Sequence, residues 1–259
     1  STWKPLMSDN SKKNPIQIKT KPIKFELSKF FGPQIAIVSL SEDVVKALLD
    51  LTDELLEDKQ AIKWGENLAG VIKEEVFIHK EDMIRFGVND ALENYLKSYV
   101  VNSIKVHDKH EDDLSYQSMI NSAWIVSQYE NEYNPIHNHS HCDISAVLYL
   151  KTPNVKGRRG LKGKQDIDSN ISFIYNASSE RDRDILDRGM ITFEPEVGNL
   201  FFFPSYLLHT VYPFKGSEER RSIAFNGIYR VVRGNDIVYG NTTNYAKEQF
   251  QYLKEREKK

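Results

Sequence analysis

The chain has one cysteine, Cys142, in 259 residues. No internal disulfide can form, and a chain of this length without bridges reads as belonging to a reducing compartment, by default the cytosol. No apolar run approaches the roughly 18 residues of a membrane span, and the polar stretch Ser1 to Pro22 lacks the hydrophobic core of a secretion signal, so no membrane anchoring is expected. Charge of one sign is lacking too: 35 Lys and Arg against 37 Asp and Glu leave a net charge of −2. That removes any global pull towards DNA, RNA or anionic lipid, and nucleic acid is not expected as an obligate partner. Repeats of fixed period are absent. What is present, 40% hydrophobic, 11% aromatic and 28% charged residues, is the composition of a folded soluble chain. A chain of this size buries about 70–75% of its unfolded surface, so its core needs no stapling.

Residues 1–22, with three prolines and no periodicity, read as an extended N-terminal arm, and 23–259 as a single domain. Within it, 23–120 reads as helical and strand support, 121–232 as a β core and 233–259 as a C-terminal helix. Ile23 to Leu27 and Gln34 to Val38 alternate as strands do. Ser41 stands at a helix N-cap position, with Glu42 and Asp43 in the first turn. Val44, Val45, Leu48, Leu49, Leu51, Leu55 and Leu56 follow at helical spacing to about Asp58. A second helical pattern runs from about Lys80 to Val100, and both helices are expected on one side of a sheet. From Ser122 onward, β-branched and aromatic runs are punctuated by Gly, Pro, Asn and Asp, the texture of an antiparallel sandwich or jelly roll. The fold class expected is therefore mainly β with α. The basic stretch Lys156 to Lys164 reads as a solvated loop, with guidance of an anionic substrate or cover for a site mouth as the functional alternative. Thr243 to Lys259 has the composition of a charged helix, with Tyr245, Phe250 and Leu253 as its contacts.

Three of the seven histidines fall within five residues, in Asn134-Pro-Ile-His137-Asn-His139-Ser-His141-Cys-Asp143. Residues i and i+2 of an extended strand share a face about 6.6 Å apart, from which two imidazoles can converge on one metal ion. His137 and His139 satisfy this; His141 lies in a stretch with the polarity of a turn. The bland alternative is a histidine-rich surface loop. A distant partner stands at His209, ending the apolar run Leu200 to Leu208, where a histidine has no packing reason to be. Two ligands from one strand and one from a remote strand leave the opposite face of an ion open.

Eleven residues on, Arg220, Ser222, Ala224 and Asn226 share one strand face, with Arg221, Ile223 and Phe225 on the other. An inward Arg220 beside Ser222 would form a fork for a carboxylate. The rival registers turn Arg221 inward, or pair both arginines with Glu218 and Glu219. Trp124, Gln128 and Tyr129, on the strand leading to the histidines, are candidate pocket-lining residues, although core packing explains aromatics on such a strand equally simply.

These residues resemble the 2-oxoglutarate/Fe(II)-dependent oxygenases in their prolyl-4-hydroxylase-like branch, and within it a His-x-His subgroup of marine bacteria and phages. The resemblance covers roughly Trp124 to Arg230. It rests on Pro135 to His139, Ser145 to Leu150, Phe203 to Pro213 and Glu219 to Asn226, taken in their order and spacing. It implies a double-stranded β-helix (a cupin-like jelly roll) that holds Fe(II) through His137, His139 and His209. It further implies 2-oxoglutarate as cosubstrate, its far carboxylate bound by Arg220 and Ser222 with help from Tyr149, and Asn226 on the same inner face. The activity implied is hydroxylation of a C–H bond using O2, with release of succinate and CO2, in the cytoplasm (the host's, for a viral member). The chain departs from the superfamily at His139, where His-x-Asp/Glu is usual; Asp143 ranks below His139 as an alternative ligand.

Two rivals stand beside this reading. One keeps the three histidines without 2-oxoglutarate, as a cupin-like metalloenzyme or zinc hydrolase. The other is a non-catalytic jelly-roll binding or structural protein. Neither the choice between a small molecule and a protein side chain as substrate nor the oligomeric state is legible.

Overall fold

Leu200, Phe201, Phe202 and Phe203 are consecutive and all buried. A strand that is apolar on both faces needs cover on both, and here helices cover one face of a sheet while a second sheet covers the other. The computed structural model describes residues 32–107, 113–155, 167–175, 189–243, 247–248 and 250–251. Its strands are β1 (Ala36–Ser39), β2 (Glu74–Phe77), β3 (Leu114–Gln128), β4 (Asn134–His137), β5 (Ile144–Lys151), β6 (Ile171–Ile174), β7 (Met190–Phe193), β8 (Asn199–Pro204), β9 (Leu208–Val211), β10 (Arg220–Arg233) and β11 (Asp236–Gly240). The helices are α1 (Glu42–Glu57), α2 (Lys80–Arg85) and α3 (Asn89–His107), with a 3-10 turn at Gly65–Asn67. The larger sheet runs β1-β8-β5-β10-β3-β2, with β11 paired to β10, and the smaller runs β4-β9-β6-β7. All pairings are antiparallel. This is the expected double-stranded β-helix, mainly β with α.

Two cores follow from the alternation along each strand. On the outer face of the large sheet, Leu48, Leu51 and Leu55 of α1 and Leu92, Leu96, Val100 and Ile104 of α3 pack with Ile125, Leu148, Leu200, Phe202, Ile223 and Phe225. Between the sheets, Tyr149, Ile171, Phe173, Phe201, Phe203, Leu207 and Val211 form the second core. Arg221, on the helix-facing side of β10, donates to Thr52 and Asp53 of α1 and to Glu219, which ties that helix to the sheet.

The helix expected from Ser41 to Asp58 is found with Ser41 and Asp58 as its caps. The pattern read as one helix over Lys80 to Val100 is instead two. Phe86 closes α2, and Gly87 takes a left-handed φ of +71°, which ends a helix and which glycine reaches without a Cβ penalty; α3 then runs beyond Val100 to His107. The helix expected over 233–259 does not begin there. Gly234 (φ +58°) and Asn235 form a two-residue turn, and the chain returns along β10 as β11, a glycine-asparagine hairpin signal that the charge count concealed. Helical backbone is found at 247–248 and 250–251, where Phe250 is buried against Met119 and Ile228 with the Arg230 guanidinium 4.6 Å from its ring. The arm 1–22, the strand expected at 23–27, the basic stretch 156–164, Tyr245 and Leu253 lie outside the described residues.

At Gly227 of β10 a Cβ would lie 2.7 Å from Leu96 Cδ2 of α3, and Leu96 is wholly buried. Gly227→Val is therefore expected to lower unfolding free energy by about 1–3 kcal/mol through overpacking, measured by urea denaturation. An unchanged midpoint would show that α3 can move away.

Candidate active site

β4 and β9 are neighbours in the small sheet with His137 directly opposite His209, and β6 flanks β9 with Phe173 opposite His209. The third imidazole comes from just beyond β4, where the His139 backbone N–H donates to the Ser205 carbonyl at 3.0 Å. The strand thus ends at His137, and the tertiary hydrogen bond, rather than strand geometry, places His139. Ring centroids are 4.2 Å apart for His137 and His209, 5.1 Å for His139 and His209, and 5.4 Å for His137 and His139. One nitrogen from each ring lies within 4.8 Å of the others.

Each ring is oriented through Nδ1. His137 Nδ1 donates to the Pro135 carbonyl at 2.8 Å, His209 Nδ1 to the Leu207 carbonyl at 3.0 Å and His139 Nδ1 to Asn226 Oδ1 at 2.7 Å. With Nδ1 carrying the proton, Nε2 keeps its lone pair, the tautomer a metal ion requires. Burial depresses all three proton affinities. His139 falls to about 4, His137 lies below its ordinary value, and His209 lies well below it because the other two rings add to the effect of burial. The rings are neutral and ready to ligate near pH 7.

They line a cavity of about 460 Å³ whose other walls include Trp64, Glu75, Trp124, Val126, Arg220, Ser222, Ala224 and Asn226. Strand alternation therefore holds on β10, with Arg220 inward and Arg221 against α1. Arg220 is only 1% exposed. Its Nη1 donates to Gln128 Oε1 at 2.9 Å and its guanidinium carbon lies 4.9 Å from the Tyr149 ring centroid. Among the described residues, its Nε and Nη2, and the Tyr149 hydroxyl, are buried without a hydrogen-bond partner. Ser222 sits opposite Tyr149 in the ladder. A buried guanidinium facing no carboxylate costs several kcal/mol unless an anion completes it. The donor set, two open guanidinium nitrogens beside a hydroxyl, suits a carboxylate.

The remaining candidates are placed as follows. Asn226 lines the cavity, but its amide is engaged: Oδ1 accepts from His139 and from Ser145 Oγ at 3.1 Å, while Nδ2 donates to Ser122 Oγ at 3.3 Å. It positions His139. Asp143 is not with the histidines; its oxygens accept from the Tyr229 backbone at 3.1 Å and from Asn241 Nδ2 at 3.2 Å. His141 is exposed at a left-handed φ of +59°. Trp124 lies 5.7 Å from His139, Gln128 holds Arg220, and Tyr129 is 43% exposed rather than lining the cavity. Sequence reasoning missed Glu75 and Trp64, because Glu74-Glu75 before Val-Phe reads as a solvated strand start. Only the pairing of β2 with β3 turns Glu75 inward.

Residues 122–226, about two-fifths of the chain and containing all three histidines and Arg220, match the family described as "Putative 2OG-Fe(II) oxygenase". No curated protein matches the chain by sequence. Among solved structures it is similar to a Pseudomonas putida prolyl-4-hydroxylase (18% identity, 74% of this chain and 91% of that one, TM-score 0.44). It is also similar to a Trichoplax adhaerens prolyl hydroxylase bound to a peptide of hypoxia inducible factor (13%, 74% and 82%, TM-score 0.46). A third is the viral collagen prolyl hydroxylase of Paramecium bursaria Chlorella virus-1 (12%, 74% and 94%, TM-score 0.40). The segment that carries the site is thus similar to the 2OG-Fe(II) oxygenases, an enzyme class that uses Fe(II), 2-oxoglutarate and O2. Among the described residues, no helix is long and apolar enough to cross a membrane.

Two outcomes are expected. His139 takes up a proton at about 4 in the fold against 6.5 ordinarily, so between those values the unfolded chain binds more protons. Stability of the metal-free protein therefore falls as pH drops from 6.5 towards 4, by up to about 3 kcal/mol from this ring, with His137 and His209 acting in the same direction. Chemical denaturation at stepped pH reads it, and His139→Gln should flatten the slope. Asn226→Ala should weaken divalent-metal affinity about 10–100-fold with little change in fold, read by metal titration, because His139 loses its orienting acceptor.

Proposed function

We propose that the protein hydroxylates a C–H bond of a small molecule or a protein side chain, with release of succinate and CO2, in the cytoplasm. His137, His139 and His209 are the Fe(II) ligands, and Arg220, Ser222 and Tyr149 bind the far carboxylate of 2-oxoglutarate. The observation that carries this is a cavity lined both by three Nδ1-tethered imidazoles and by a buried guanidinium two of whose nitrogens have no partner among the described residues.

The residues fit both groups. Three neutral nitrogen donors with an open side suit a divalent ion, and the orphaned Arg220 and Tyr149 atoms suit a carboxylate. Fe(II) with 2-oxoglutarate supplies the activation of O2 and the oxidising equivalents. The chain supplies the rest. The carbonyls of Pro135 and Leu207 and the amide of Asn226 fix the tautomers, so no proton needs to leave an imidazole on metal binding. With histidine in place of the usual carboxylate, the ligand set leaves the full charge of the ion uncompensated, which strengthens attraction for a dianionic cosubstrate. Gln128 holds Arg220 on one side, and Trp124, Val126 and Ala224 form an apolar wall that limits water. Three histidines also suit zinc; what supports the 2-oxoglutarate reading is a guanidinium with open nitrogens in the same cavity as the histidines, a site for a carboxylate.

With Mn(II) as a redox-inert stand-in, millimolar 2-oxoglutarate should raise the melting temperature of the native protein. Saturation at 100 times Kd corresponds to about 2.7 kcal/mol. Arg220→Gln should lose that rise while still binding Mn(II), and His209→Ala should fail to retain iron. A full 2-oxoglutarate shift in Arg220→Gln would overturn the assignment of the carboxylate site.

A further inference from the structure

The registers of three adjacent strand pairs put four inward positions in one row across the large sheet: Tyr149 opposite Ser222, Ser222 opposite Val126, and Val126 opposite Glu75. Strands lie about 4.8 Å apart, so Glu75 on the edge strand β2 sits about 10 Å across the sheet from Ser222. The same cavity therefore has a guanidinium towards one end of the row and a carboxyl at the other. Glu75 is 2% exposed, and its Oε2 has no hydrogen-bond partner among the described residues. Between and around these ends, Trp64, Leu68, Trp124 and Val126 line the wall. The carboxyl packs against the 65–70 segment, where Cβ atoms on Gly65 and Gly70 would each come within 3.3 Å of its oxygens.

We propose that Glu75 is the substrate-recognition residue of this cavity, binding the ammonium group of a substrate whose aliphatic stem lies along Trp64, Leu68, Trp124 and Val126. The proposal rests on the oxygenase reading only for which end of the cavity is left to the substrate. Two observations favour a cation over a neutral partner. Glu132 lies close enough to Glu75 to raise its proton affinity by like-charge repulsion, a smaller effect than burial; together they lift Glu75 to about 7. The oxygens of Glu132 are already held by the backbone N–H groups of Lys73 and Tyr129 at 3.3 Å and 2.9 Å. A cation beside Glu75 thus relieves a repulsion that a neutral ligand leaves in place. Two indoles in the same wall add π faces, which attract ammonium groups. The volume, about 460 Å³, suits a ligand of side-chain size.

The test uses hexylammonium and 1-hexanol, which share the stem and differ in charge, titrated calorimetrically into the full chain with and without Mn(II) and 2-oxoglutarate. The native protein should bind hexylammonium at least tenfold more tightly. Glu75→Gln, which keeps the shape, should bring the two probes within twofold while leaving 1-hexanol affinity and the melting rise with 2-oxoglutarate unchanged. Equal affinity for the two probes in the native protein overturns the proposal without any variant, as does a preference that survives Glu75→Gln. Absence of the 2-oxoglutarate rise alone counts against the oxygenase reading and leaves the ammonium preference to be judged on the probe titration.

Discussion

A guanidinium held inside a β-roll without a carboxylate to neutralise it is the constraint around which this molecule is arranged. Among the described residues, Arg220 donates to Gln128 and lies against the face of Tyr149, and its Nε and Nη2 meet no acceptor. Such a group is held only by a surrounding structure that over-determines its position. Here β10 is paired along its length by β3 and over its first half by β5. The neighbouring Arg221 is locked outward into α1 by Thr52, Asp53 and Glu219. Two adjacent arginines thus face opposite ways, one a peg that fixes the strand against the helix layer and the other the proposed anion site that the fixed strand presents.

The histidines obey a complementary logic. Burial keeps them neutral, three separate acceptors choose the tautomer, and the acceptors come from different levels of structure. Two are backbone carbonyls only two residues before the ring they orient, so local chain geometry suffices. The third, Asn226, is eighty-seven positions away and reaches His139 because β10 and the loop after β4 meet at the cavity. His139, the proposed nonstandard ligand, is therefore the ring whose orientation depends most on the tertiary fold. The outcome is a polar floor of positive character, from Arg220 and any bound ion, with an apolar wall and a single acidic edge at Glu75.

How far this was legible in the sequence varies by element. α1 was readable because capping residues, acidic first turn and apolar spacing all agree. That Arg220, Ser222, Ala224 and Asn226 share a face was readable because a strand has period two, whereas which face turns inward was decided by Arg221 bonding to α1. The break between α2 and α3 was concealed because the apolar stripe continues across Gly87, and only the left-handed backbone there interrupts it. β11 was hidden by a charged C-terminal composition, and Asp143 looked like a ligand because of its neighbours in the chain rather than its neighbours in space.

Local pattern alone determined that 137 and 139 carry imidazoles two residues apart with a third at 209, that Arg220, Ser222, Ala224 and Asn226 share one strand face, and that the C-terminal half is built of short strands, since these follow from side-chain chemistry and the periodicity of an extended backbone. Tertiary structure alone decided that Asn226 serves His139, that Asp143 turns to Tyr229 and Asn241, and that Glu75 closes the far edge of the cavity. Those outcomes depend on which strands pair and in what register, a property of contacts between residues fifty to a hundred positions apart that no local window contains.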